Sequence, residues 1–125
     1  MVATASVAVW SLRRSWAVVT VEGLSMEPTF HDGDRVAVRR RRFAVATGDV
    51  VVIRPPRVGR AGFVIKRVAA VAGEPVPHGI PVPDAVVPDG KLVLLGDNAE
   101  ASFDSRVAGY FSADRLLGGV VRRMH

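Results

Sequence analysis

A mainly β, compact chain with little helix is what this sequence predicts, and three observations carry the expectation. Valine-rich runs recur along the 125 residues. Glycine, proline and aspartate punctuate them at short intervals. No stretch sustains the 3.6-residue period of an amphipathic helix. With 49% hydrophobic and 23% charged residues, the composition is that of a globular protein, and the length suits one domain with one core.

The N-terminal run "VATASVAVWSL" comes first. A membrane span needs about 20 apolar residues, and Arg13 and Arg14 interrupt this run well short of that. The order of charge is also wrong for a secretory signal, whose positive residues precede the apolar segment. Residues 1–15 are therefore expected as an apolar arm, a surface-docked turn of helix or the stump of an anchor, ahead of a single domain over 16–125. Strands are predicted over Trp16–Glu22, Asp34–Arg39, Asp49–Arg54, Gly62–Ala72, Lys91–Leu95 and Leu116–Arg123. Turn residues separate them at "HDGD" (31–34), "TGD" (47–49), "RPPRVGRAG" (54–62) and "PDGK" (88–91). The stretch "AVVPDGKLVLLG" reads as the clearest hairpin. Four prolines and two glycines over 73–83 predict an extended surface loop.

Composition also excludes chemistry. Without cysteine there is no disulfide, thiol nucleophile or thiolate metal site. His31, His78 and His125 show no metal-ligand spacing, so no metal and no cofactor are expected. The net charge of +5 comes almost wholly from arginine, since lysine occurs only at Lys66 and Lys91. Such an excess favours anionic surfaces, whether lipid or nucleic acid, and Arg39–Arg42 is either a solvated turn or a patch that touches one. No aromatic-interleaved basic strand supports an RNA-binding module.

Three stretches could carry chemistry. In "VEGLSMEPTFHDGD", Pro28 fixes its own φ and restricts Glu27, so Ser25 sits on a stiff turn that Gly23 lets approach other groups. That suits an exposed nucleophile, and equally a serine that only hydrogen-bonds the turn. A nucleophilic hydroxyl needs a base. His31 with Asp34 is one choice, although such sets assemble in space and not in sequence. Lys66 is the other. In "GFVIKRVAAVAG", strand alternation places it with Val64, Val68, Ala70 and Ala72. Either it snorkels to solvent, or burial depresses its pKa from about 10.4 by roughly 3 units, about 4 kcal/mol, and makes it a base near neutrality. In "LLGDNAEASFDSRVAGYF", Asp97, Asn98, Ser102, Asp104, Ser105 and Arg106 crowd a glycine-opened loop, where Asp104 and Arg106 are placed to pair.

Taken together and in order, "SMEPT", "GDVVVI", "KRVAAVAGE" and "GDNAEASFDSR" resemble the successive conserved boxes of the type I signal peptidase family, serine-lysine endopeptidases. The likeness runs from about Val21 to Val121. It implies a coiled β-sheet, barrel-like catalytic core. It also implies Ser25 as nucleophile, Lys66 as general base and Ser102 as the hydroxyl that orients the amine. Met26 would line the site, and the Ser25 N–H would donate to the oxyanion, with Asp104 and Arg106 bracing the loop. One branch of the family has a serine two residues before the nucleophile; Gly23 stands there in this chain, which leaves the second oxyanion donor open. Ala70, Ala72 and Glu74 depart from the family's glycine, proline and aspartate, so a different turn after that strand is expected. The resemblance implies peptide substrates with small residues, often alanine, before the cut, as in signal peptides. It further implies contact with a membrane surface, no nucleic acid, and a location at the cytoplasmic membrane for a short member lacking the usual anchor and accessory domain. A soluble maturation protease serving one partner protein is the alternative within the class, and a non-catalytic basic β module is the alternative outside it.

Overall fold

The computed structural model describes residues 6–12, 15–40, 45–54 and 63–124. Its strands are β1 (Ser6–Leu12), β2 (Trp16–Glu22), β3 (Arg35–Arg40), β4 (Val50–Ile53), β5 (Phe63–Val71), β6 (Lys91–Leu95), β7 (Phe111–Ser112) and β8 (Leu116–Met124). One four-residue helix, α1 (Ser105–Ala108), and two short 3₁₀ turns are the helical structure among the described residues. The mainly β expectation holds.

All eight strands lie in one antiparallel sheet of order β1-β2-β3-β8-β4-β5-β6-β7, and an additional pairing of β1 with β5 closes the first six into a ring. Strand β5 makes this closure by sharing one edge. Its start, Phe63 and Val64, pairs with β1, whereas Arg67–Val71 pairs with β6. Alternation fills the interior: Ala17, Val19 and Val21 of β2 point in, as do Val36 and Val38 of β3, and meet Val52 and Ile65 across the ring. A second apolar cluster includes Val51, Ile53, Val64, Val68, Leu94 and Phe111. Strand β8 crosses β3 closely at Gly118, where an added Cβ would stand 2.1 Å from the Arg39 carbonyl oxygen.

The six predicted strands all form, with ends shifted by one residue at most; Gly62 lies outside the described residues. Three expectations are corrected. Residues 6–12, read as part of an apolar arm and a turn of helix, form β1, because two neighbours, β2 and β5, supply the pairing that a short isolated run lacks. The hairpin over 85–96 does not form. The turn at 88–91 closes, but Val87 is drawn into hydrogen bonds with Gly73 and Glu74, and β6 pairs instead with β5 and β7. The loop over 73–83 is mostly at the surface, yet Ile80 is buried against Ala70, Val87 and Val93. Arg13, Arg14, Arg41, Arg42 and His125 lie outside the described residues.

Candidate active site

Three segments meet beside the ring: the turn that leaves β2, the middle of β5 and the loop that leaves β6. The turn begins at Gly23, whose φ of 94° is a left-handed conformation that glycine adopts freely. Its N–H donates to Asp32 Oδ1 at 2.8 Å, Glu27 N–H to the Leu24 carbonyl at 3.1 Å and Phe30 N–H to the Met26 carbonyl at 2.9 Å. The Glu27–Pro28 peptide is cis. Met26 is fully buried and its sulfur accepts the Asp97 N–H at 3.5 Å.

Lys66 lies opposite Val51 in the β4–β5 register and is itself 0% exposed. The expectation of an apolar face holds, and snorkelling does not occur. Its Nζ is 3.2 Å from Ser25 Oγ and 3.1 Å from Ser102 Oγ. Burial lowers the Lys66 pKa from 10.5 to about 8; Asp104 pulls it back up, and Arg106 pushes it further down.

The third segment is organised by Asp104, which is buried. Its Oδ2 accepts the Gly96 N–H at 2.8 Å and the Ser102 hydroxyl at 2.9 Å, and its Oδ1 accepts the Arg106 N–H and Nε–H, each at 3.0 Å. Arg106 Nη2 adds a second arm to Oδ2. Burial alone would push the Asp104 carboxyl up, but the bonds from Arg106, Gly96 and Ser102 outweigh it and hold the carboxyl below its ordinary value. The loop permits only glycine at 96, where an added Cβ would lie 2.1 Å from Ser102 Oγ and 2.8 Å from the Ser25 carbonyl oxygen. Ser105, also buried, accepts the Leu94 N–H at 2.8 Å.

Ser25, Lys66, Ser102, Asp104 and Arg106 are thus one connected chain of hydrogen bonds, with Gly23 and Met26 in the turn that carries the first of them. The exposure expected for Ser25 is corrected: the residue is 0% exposed. The loop after β6 covers it, since Asn98 donates its main-chain N–H to the Ser25 carbonyl at 2.7 Å and its Nδ2–H to the Leu24 carbonyl at 3.1 Å. His31 and Asp34 stand apart from this chain. Asp34 Oδ2 accepts the His31 main-chain N–H at 2.8 Å, with Arg123 Nε at 3.2 Å. Sequence reasoning missed a second brace. Arg67 grips Asp97 with two bonds, of 2.9 and 2.8 Å, and the Thr29 hydroxyl donates to the same carboxylate at 2.5 Å. The turn, β5 and the loop are tied together again through that carboxylate. A usable signal was present, because Arg67 follows Lys66 directly and, unlike it, cannot shed its charge when half-buried.

The family model for signal peptidase, peptidase S26, matches residues 1–80 and 78–124. The chain belongs to this family. A probable signal peptidase I-1 from Synechocystis sp. is 29% identical over 131 residues, which cover 79% of this chain and 66% of that protein. A signal peptidase IB from Staphylococcus aureus is 28% identical over 144 residues, 81% of this chain and 73% of its own length. Membership in the signal peptidase family supports a peptidase. The departure from the family pattern at residue 74 has a local answer: Glu74 Oε1 accepts the Val71 N–H at 2.9 Å and the Thr47 hydroxyl, so a carboxylate still closes the turn that ends β5.

Proposed function

We propose that this chain is a serine endopeptidase of the signal peptidase kind, working through a Ser25/Lys66 dyad. The single observation that carries the reading is a fully buried lysine amine within hydrogen-bond reach of two hydroxyls, those of Ser25 and Ser102. Ser102 gives its proton to Asp104, so it can only accept from Lys66. A neutral amine has two N–H groups and one lone pair. With one N–H spent on Ser102, the lone pair is left to take the Ser25 proton.

The reaction follows from that arrangement. Ser25 Oγ attacks the substrate carbonyl carbon as its proton passes to Lys66 Nζ, and the carbonyl oxygen becomes an oxyanion held by the Ser25 N–H. The C–N bond breaks, the amine leaves with the proton from Lys66, and an ester on Ser25 remains. Water then gives a proton to Lys66 and attacks the ester, and as the acid is released Lys66 passes that proton to Ser25 Oγ, restoring both groups. None of these steps calls for a metal or cofactor. The substrate is an extended segment with small residues before the cut, as in signal peptides, and the working place is the cytoplasmic membrane surface. No helix among the described residues is long and apolar enough to cross a membrane. Asp104 and Arg106 position Ser102, and Met26 packs behind the nucleophile.

The test is cleavage of a peptide carrying an Ala-X-Ala segment by the wild type beside Ser25→Ala and Lys66→Ala. Both substitutions should abolish turnover while leaving the fold intact. Full activity in either would remove the dyad.

A further inference from the structure

Asn98 is not used by the dyad, yet one residue here holds both carbonyls that flank the Ser25 nitrogen and α-carbon. Its main-chain N–H binds the Ser25 oxygen at 2.7 Å and its side-chain Nδ2–H binds the Leu24 oxygen at 3.1 Å. The second contact matters more. The Leu24–Ser25 peptide is trans, as is every described peptide bond but Glu27–Pro28. In a planar trans peptide, C=O and N–H point in opposite directions. A group that fixes where the Leu24 oxygen points therefore fixes where the Ser25 N–H points. We propose that the Asn98 carboxamide is a positioning residue for the oxyanion: by gripping the Leu24 carbonyl it aims the Ser25 N–H at the oxygen of the tetrahedral intermediate.

The inference rests on the proposed role of Ser25. Its physical basis is that an oxyanion donor acts by being preorganised, and loses its worth when it must rotate into place as charge develops. The other acceptor bond of the Leu24 oxygen, from Glu27 N–H at 3.1 Å, lies within the turn itself and moves with it. Asn98 ties that peptide to a different segment, 74 residues away in sequence. Gly23 cannot help as a side-chain donor, and its N–H is engaged by Asp32.

Asn98→Ala removes the donor, and Asn98→Asp keeps the shape while turning an acceptor towards the carbonyl; both retain the main-chain bond to Ser25. Losing an entire oxyanion donor costs about a hundred-fold or more in kcat. Misaiming one should cost about ten-fold in Asn98→Ala and more in Asn98→Asp, with KM unchanged. A peptide aldehyde supplies the readout that mere loosening of the fold would not move. The Ser25 O–H adds across its C=O, giving a hemiacetal whose oxygen takes the oxyanion position, so its affinity should fall in step with kcat. Activity within two-fold of wild type in both variants overturns the proposal, as does a loss confined to KM, or a fall in kcat with aldehyde affinity kept. Failure of both variants to fold would assign the carboxamide to stability alone and overturn it too. If Ser25→Ala and Lys66→Ala abolish cleavage while the Asn98 variants keep it, the dyad stands and only this inference falls.

Discussion

Replacing Lys66 by methionine should make the protein inactive and, near neutral pH, more stable. An amine that titrates at about 8 in the fold and at 10.5 in the unfolded chain is bound by a proton more weakly in the native state. At pH 7 both states carry the proton, and folding pays the full difference: about 2.5 pKa steps at 1.36 kcal/mol each, or roughly 3 kcal/mol. Between pH 8 and 10.5 the unfolded state still holds the proton and the native state has released it, so wild-type stability rises with pH across that window. Above it the cost vanishes. Methionine has a similar shape and no charge, but it forfeits hydrogen bonds to Ser25 and Ser102 worth about 1 kcal/mol each. The net gain at pH 7 is then about 1–2 kcal/mol, turning into a net loss above about pH 9 that levels off at about 2 kcal/mol beyond pH 10.5. Urea unfolding of both proteins from pH 6 to 11 measures this, because every other titration is common to the pair and cancels. A stability difference that stays flat over pH 7–10.5 would show that burial does not depress this amine.

In the same frame, Ser102→Ala removes the acceptor that directs one Lys66 N–H, and should lower kcat by about ten- to hundred-fold with KM held, in steady-state cleavage of the same peptide. Gly96→Ala forces a methyl against Ser102 Oγ and the Ser25 main-chain oxygen; the second cannot swing aside, so a destabilisation of about 1–3 kcal/mol in urea and loss of activity are expected. The acidic limb of kcat/KM should fall at about pH 8, where Lys66 acquires its proton. Arg106→Gln should move that limb upward, since the guanidinium pushes the amine pKa down. Asp104→Asn should move it downward, since the carboxylate pulls that pKa up. A pH profile of the two variants that shifts the same way would refute the assigned signs.

Alternation was the most legible feature of the sequence. Strand β2 follows it residue by residue, with Ala17, Val19 and Val21 inside, and β6 was bounded correctly by the turn residues on either side. What escaped depends on partners distant in the chain. Strand β1 is stable only because β2 and β5 pair with it, and a window centred on its own residues sees just an apolar run cut by arginine. The "PDG" turn was read correctly, but which neighbour Val87 prefers is decided by Gly73 and Glu74. For the site, the sequence placed Lys66 on an apolar face but could not supply the depth at which the amine sits. Nor could it show that the loop carrying Ser102 folds down over Ser25, which turns an expected exposed hydroxyl into a buried one. The Thr29–Asp97–Arg67 brace joins residues up to 68 apart, and no local pattern marks it.

The charges around Lys66 explain why the loop contains both an acid and a base. A carboxylate facing a buried amine directly would hold it as an ammonium, which has no lone pair to accept a proton. Here two things prevent that. The Ser102 hydroxyl stands between Asp104 and the amine, with its proton turned to the acid and its lone pair to Lys66. Arg106 meanwhile occupies Asp104 through both oxygens, so the pair presents little net charge to the interior. The carboxylate can then fix the direction of one hydroxyl without setting the protonation state of the lysine. Desolvation is left as the largest influence on that state, and desolvation favours the neutral amine. A fold that buried Lys66 equally well but left Asp104 without its arginine would keep the geometry and lose the neutral amine that the proposed dyad requires.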